Sequence, residues 1–139
     1  MGMFYVEIIS GLWVGDSETM NQASFLKDQK IGIILNCSDI YDFPSYECQK
    51  IRIPLPSTHS NETKVEILRG NYKKITNVIS ENLCTQNILL SCPDGKCISP
   101  LLVALYLKDY GKLPIKSIYD IILTKDPSLS LWCDLSSFS

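Results

Sequence analysis

Two short apolar runs constrain this chain more than any other feature: residues 31–36, reading IGIILN, and residues 87–90, reading NILL. Runs of that length without polar alternation suit strands covered on both faces, as in a parallel sheet with helices on either side. Segments of helical spacing flank them. Across 17–28, Met20, Ala23, Phe25 and Leu26 share roughly one face, which predicts a single helix there. Across 65–83, Val65, Leu68, Tyr72, Ile75, Val78 and Ile79 mark a long amphipathic helix. Residues 98–110 form an apolar helix ending at Gly111, which suits a C-cap, and 115–123 form another. Residues 127–138, with Leu129, Leu131, Trp132, Leu135 and Phe138, read as a short closing helix. At the front, 4–9 and 12–15 make a hairpin around Ser10 and Gly11, and 40–47 make a loop. Residues 49–55 alternate Ile51, Ile53 and Leu55 with polar neighbours, a half-buried strand that Pro54 and Pro56 place near an edge or a turn. The fold class is therefore α/β, a central sheet flanked by helices, with ligands expected at the carboxyl ends of its strands.

At 139 residues, 45% hydrophobic and 20% charged, the chain is expected to be one folded domain spanning 1–139. A formal net charge of −2 with no block of like charge argues against nucleic-acid and anionic-membrane partners. No apolar run reaches the roughly 18 residues of a membrane span, the longest, around 101–107, being broken at Lys108 and Asp109. Gly2 is followed by Val6 where a myristoylation signal wants Ser or Thr, and no secretory pattern is visible. The six cysteines, at 37, 48, 84, 92, 97 and 133, are unevenly spaced, which favours reduced thiols in a cytoplasmic setting over a disulfide scaffold.

The segment LLSCPDGKCIS, residues 89–99, has a buried strand delivering Cys92 into a short loop with Gly95, after which an apolar helix opens. Such a loop points successive N–H groups inward and adds the positive end of the helix dipole, an anion site with a thiol at its rim. A buried structural cysteine followed by an ordinary turn accounts for the spacing equally well.

These residues, with others along nearly the whole chain, resemble the dual-specificity, cysteine-dependent protein phosphatases. Residues 11–15 and 31–38 are similar to that family's opening leucine-glycine pair and its first core strand, and 53–57 to its Ile-Pro-Leu segment. Residues 91–99 are similar to its HCxxGxxRS signature, 100–107 to the helix that follows, and 127–138 to its closing pattern. The resemblance puts Cys92 at the nucleophile position, with Pro93, Asp94, Gly95, Lys96, Cys97 and Ser99 as the phosphate loop. It also puts Ser91 where the family has histidine, Ile98 where it has the signature arginine, and Ser57 or Thr58 where it has the general-acid aspartate.

An arginine that grips phosphoryl oxygens is worth roughly 10³ to 10⁵ in rate and a general acid about 10² to 10⁴, so either loss nearly silences turnover. Lys96 offers a single point charge, and Asp94 adds an anion. His59 and Glu62 lie near the acid position but read as solvated loop residues, and Trp13 and Trp132 as packing. Cys97 shares the loop with Cys92, which allows a disulfide; two thiols make half a zinc site at best, and neither metal nor cofactor is expected.

The resemblance thus implies a catalytically inactive phosphatase-like protein, a pseudophosphatase that binds a protein partner: a phosphoprotein, a kinase or a phosphatase. The alternatives are a weak phosphatase using Cys92 without the arginine, and a Cys92–Cys97 redox pair. A structural protein that serves in homodimerisation is a third, favoured by nothing in the sequence, and whether the chain is a monomer or a homodimer is left open.

Overall fold

The computed structural model describes residues 3–55, 61–93, 96, 98–129 and 135–138. Two strands, β1 (Tyr5–Ile9) and β2 (Leu12–Gly15), form the expected hairpin. Gly11 turns it with φ +83°, a backbone region that side chains oppose. Two short helices, α1 (Ser17–Met20) and α2 (Ala23–Asp28), lead to β3 (Ile31–Asn36), and β4 (Gln49–Arg52) follows a long loop. The long helix α3 (Asn61–Asn82) precedes β5 (Asn87–Ser91), after which come α4 (Ile98–Asp109), α5 (Ile115–Lys125) and a 3-10 turn at Leu135–Ser137.

The strand order is β1-β2-β5-β3-β4, so the last strand in sequence occupies the centre of the sheet. It runs parallel to both neighbours, with Leu90 opposite Val14 on one side and Leu35 on the other. One face of the sheet packs on α3, α4 and α5 through Leu35, Leu90, Leu68, Leu101 and Ile118, all 0% exposed. The other packs on α1 and α2 through Met20, Leu26, Ile34 and Leu89. Trp13 sits at the margin of that second layer, edge-on to Phe25 with ring centroids 5.3 Å apart, so it is a packing residue. The apolar character of α4 follows from its position, since nearly every turn of it is buried between α3, α5 and the sheet.

The structure corrects the sequence reading in three places. Residues 17–28 form two helices, because on an unbroken helix Met20 and Leu26 would point about 120° apart. The break at Asn21 and Gln22, where Gln22 is extended, brings both against the sheet. The β4 strand stops at Arg52: Ile53 still donates its N–H to the Asn36 carbonyl, but Pro54 has no N–H to continue the ladder, and Leu55 turns back to donate to the Ile53 carbonyl. At the end of α4 the residue with positive φ is Lys112 (56°). Gly111 is required for a different reason, since a Cβ there would stand 2.7 Å from the Leu107 carbonyl oxygen. Of the closing segment, 127–128 form a turn and Leu135–Ser137 a 3-10 turn, while residues 130–134, Leu131 and Trp132 among them, lie outside the described residues.

Gly70, on the exposed side of α3, has nothing within 4 Å of where a Cβ would stand. Gly70→Ala is expected to raise unfolding stability by about 0.5–1 kcal/mol. Gly11→Ala is expected to lower it by about 1–2 kcal/mol. Urea titration of the two variants should move the midpoint in opposite directions.

Candidate functional site

The site forms where β5 ends between its two parallel neighbours, the switch point of an open α/β sheet. Asn36 pairs with Ser91 as the last registered pair, so Cys37 and Cys92 are the next residues on each strand. The backbone there is held from both sides: Cys37 donates its N–H to the Ser91 carbonyl at 2.7 Å, and Cys92 donates to the Gly15 carbonyl at 3.2 Å. Beyond them, Ser17 donates to the Pro93 carbonyl at 3.5 Å.

Asp16 organises the side of the site next to β2. Its carboxylate accepts from the Thr19 N–H at 2.8 Å, capping α1, and from the Phe4 N–H at 3.0 Å. Its backbone carbonyl accepts the Ser91 hydroxyl at 3.1 Å. Ser91, fully buried, thus commits its hydroxyl to fixing β5 against the β2–α1 corner.

Cys92 is 1% exposed and lies in the core layer shared with α4. Ile98, the first residue of α4, is 3% exposed in that layer. Ser99 is fully buried, and its hydroxyl has no hydrogen-bond partner among the described residues. Pro93 and Lys96 are exposed. The Lys96 ammonium stands 4.9 Å from the centroid of the Phe4 ring. It is also one of the charges near Asp126, whose carboxyl is held low first by the Ser128 hydroxyl and amide and only then by Lys96. Asp94, Gly95 and Cys97 of the loop, and Ser57, Thr58 and His59 of the acid segment, lie outside the described residues. Glu62 is exposed in the first turn of α3, where a carboxylate favours the helix dipole.

Two participants escape sequence reasoning. Asp16 acts through a carbonyl and two backbone amides, which no motif announces. Cys37 comes beside Cys92 only through strand register, and both thiols face the layer of α3 and α4. Burial first, and then the neighbouring Cys92, push the Cys37 thiol well above its ordinary range. No helix among the described residues is long and apolar enough to cross a membrane.

No protein-family profile and no curated protein sequence matches the chain. Solved structures do. Human DUSP28 superposes with a TM-score of 0.80 at 13% identity, over 96% of this chain and 88% of that one. DUSP15 gives 0.79 at 19% identity, over 98% and 83%. The human tyrosine phosphatase-like serine/threonine/tyrosine-interacting protein gives 0.77 at 12% identity, over 96% and 91%. The fold is that of the dual-specificity phosphatases, covered almost end to end.

A thiol whose pKa is raised by folding stabilises the folded state below the unfolded pKa, near 8.5 for cysteine, and that stability is lost as pH rises above it. Between about pH 8.5 and 10, unfolding free energy should therefore fall more steeply in the unmodified protein than in Cys37→Ser, by up to about 1.4 kcal/mol per pH unit. Parallel slopes would show that Cys37 ionises alike in both states.

Proposed function

We propose that the chain is a dual-specificity phosphatase relative that has kept the fold and the cysteine, has lost turnover, and works by binding a protein partner. The observation that carries this reading is Ile98, buried at 3% exposure where the resemblance calls for the arginine. An arginine at that point holds phosphate through two parallel charge-assisted hydrogen bonds and stabilises the charge that builds up in transfer. An isoleucine does neither, and its side chain serves the core instead. Ser91 supports the same reading, because its hydroxyl is spent on the Asp16 carbonyl.

Partners of the expected kind are phosphoproteins or the kinases and phosphatases acting on them, held in competition with an active enzyme. One structural neighbour is itself named as a tyrosine phosphatase-like interacting protein, which is consistent with a binding role for this architecture. With Ile98 in place of the arginine, the loop is left with backbone amides, the start of α4 and the single point charge of Lys96 for holding an anion, which makes phosphate a weak ligand. The contact surface then lies on the frame around the loop rather than on a phosphoryl group within it.

The test is steady-state and burst hydrolysis of a small aryl phosphate and a phosphotyrosine peptide by the reduced protein, beside Cys92→Ser at equal concentration. Both proteins are expected to match the buffer blank. Turnover present in the unmodified chain and absent in Cys92→Ser would establish a weak phosphatase and refute the proposal.

A further inference from the structure

We propose that the groove between β4 and α3 receives an extended segment of a partner protein, apolar and acidic in alternation, added as a further strand on the open edge of β4. The inference goes beyond the loss of turnover and stands whether or not Cys92 hydrolyses phosphate.

The first observation is the edge itself. Among the described residues β4 is the terminal strand of the sheet, bonded only to β3. Ile53 sends its N–H inward to the Asn36 carbonyl, and in a parallel ladder alternate residues face the same neighbour. Gln49 and Ile51 therefore face inward, while the N–H and C=O groups of Lys50 and Arg52 face outward. No backbone group of a described residue outside the sheet takes them up. Such a row of open groups is a template for strand addition.

The second observation is the groove that runs beside this edge, about 290 Å³ in volume. Its walls are Ile51 on the strand, Ile53 just beyond its end, and Ile67, Ile75 and Val78 on α3. Ile51, Ile67 and Val78 remain half-exposed, apolar surface that the chain does not cover with its own described residues. An added strand would place every second side chain over that surface, which sets the alternation expected of the partner.

Charge selects among the occupants. Among the described residues, the polar groups lining the groove are Arg52, Asn71 and Lys74, two cations and no carboxylate. Arg52 is held in place, its guanidinium donating to the Ser38 carbonyl at 2.6 Å and the Tyr41 carbonyl at 3.0 Å. Lys74 is exposed and makes no ion pair among the described residues. A second copy of this chain pairing β4 to β4 would bring Lys50, Arg52 and Lys74 of each copy together, which like-charge repulsion opposes. An acidic segment instead gains Lys74 and the cations of the strand. A fatty acid would satisfy the groove and one cation but leave the Lys50 and Arg52 backbone unpaired.

The experiment selects random peptides of about a dozen residues, displayed on phage, against the full chain, then measures amide hydrogen exchange with the best synthetic peptide bound. Enrichment of peptides alternating aliphatic residues with Asp or Glu is expected, with slowed exchange at the Lys50 and Arg52 amides. Lys74→Glu, an exposed substitution, should weaken binding about tenfold or more, while Lys73→Glu, exposed one position away and off the groove, should leave it near the original value. Failure to enrich any such sequence, selection of basic peptides, or unchanged exchange at Lys50 and Arg52 at saturation would each overturn the proposal. So would dodecanoate perturbing Ile67 and Val78 while no peptide protects the strand, which would make the groove a lipid site, or a concentration-dependent dimer that buries β4.

Discussion

The placement of β5 between β2 and β3 is the constraint on which the rest of this structure depends. A central parallel strand must satisfy its backbone on both sides at once, so its register is fixed by Val14 and Leu35 together. Because that register is fixed, the chain can leave the sheet at only one point, and Cys92 is the residue that occupies it. Asp16 completes the arrangement from the neighbouring corner, joining Phe4 just before β1, Thr19 of α1 and Ser91 of β5 through its carboxylate and carbonyl. The scaffold that presents the loop is therefore held by backbone and buried polar contacts, one of them from Ser91 itself, in which Ile98 takes no part.

The position of Ile98 turns that independence into a functional reading. A residue at the start of α4 must either reach toward the loop or pack into the layer beneath it, and an isoleucine buried at 3% exposure does the second. It adds apolar burial where an arginine would need to keep its charge satisfied. Cys92 and Cys37 lie in the same buried layer as Ile98. The groove proposed to receive a partner lies elsewhere, where β4 and α3 leave apolar side chains and backbone groups that the described residues do not cover.

Much of this was legible in the sequence because the decisive elements carry their own signal. The apolar runs of β3 and β5, the amphipathic spacing of α3 and the apolar α4 each follow from burial on known faces, and the cysteine at the end of β5 follows with them. What was not legible depends on how distant segments meet. The break after Met20 reflects the angle at which two short helices reach the sheet. The need for Gly111 comes from the Leu107 carbonyl, not from its own φ. Cys37 looks like any strand-end cysteine until register sets it beside Cys92, and Asp16 like any helix cap until Ser91 is found on its carbonyl.

The central claim of the proposal is that the frame of a phosphatase and its cysteine survive, while the histidine, arginine and general-acid side chains are replaced. Its most direct test is to restore them together, Ser91→His, Ile98→Arg and Ser57→Asp, and to follow hydrolysis of an aryl phosphate alongside the same variant carrying Cys92→Ser. The account predicts turnover in the folded triple variant that disappears with the thiol. A folded triple variant that leaves the substrate untouched would contradict it, because the loop would then no longer hold the geometry that the restored side chains require.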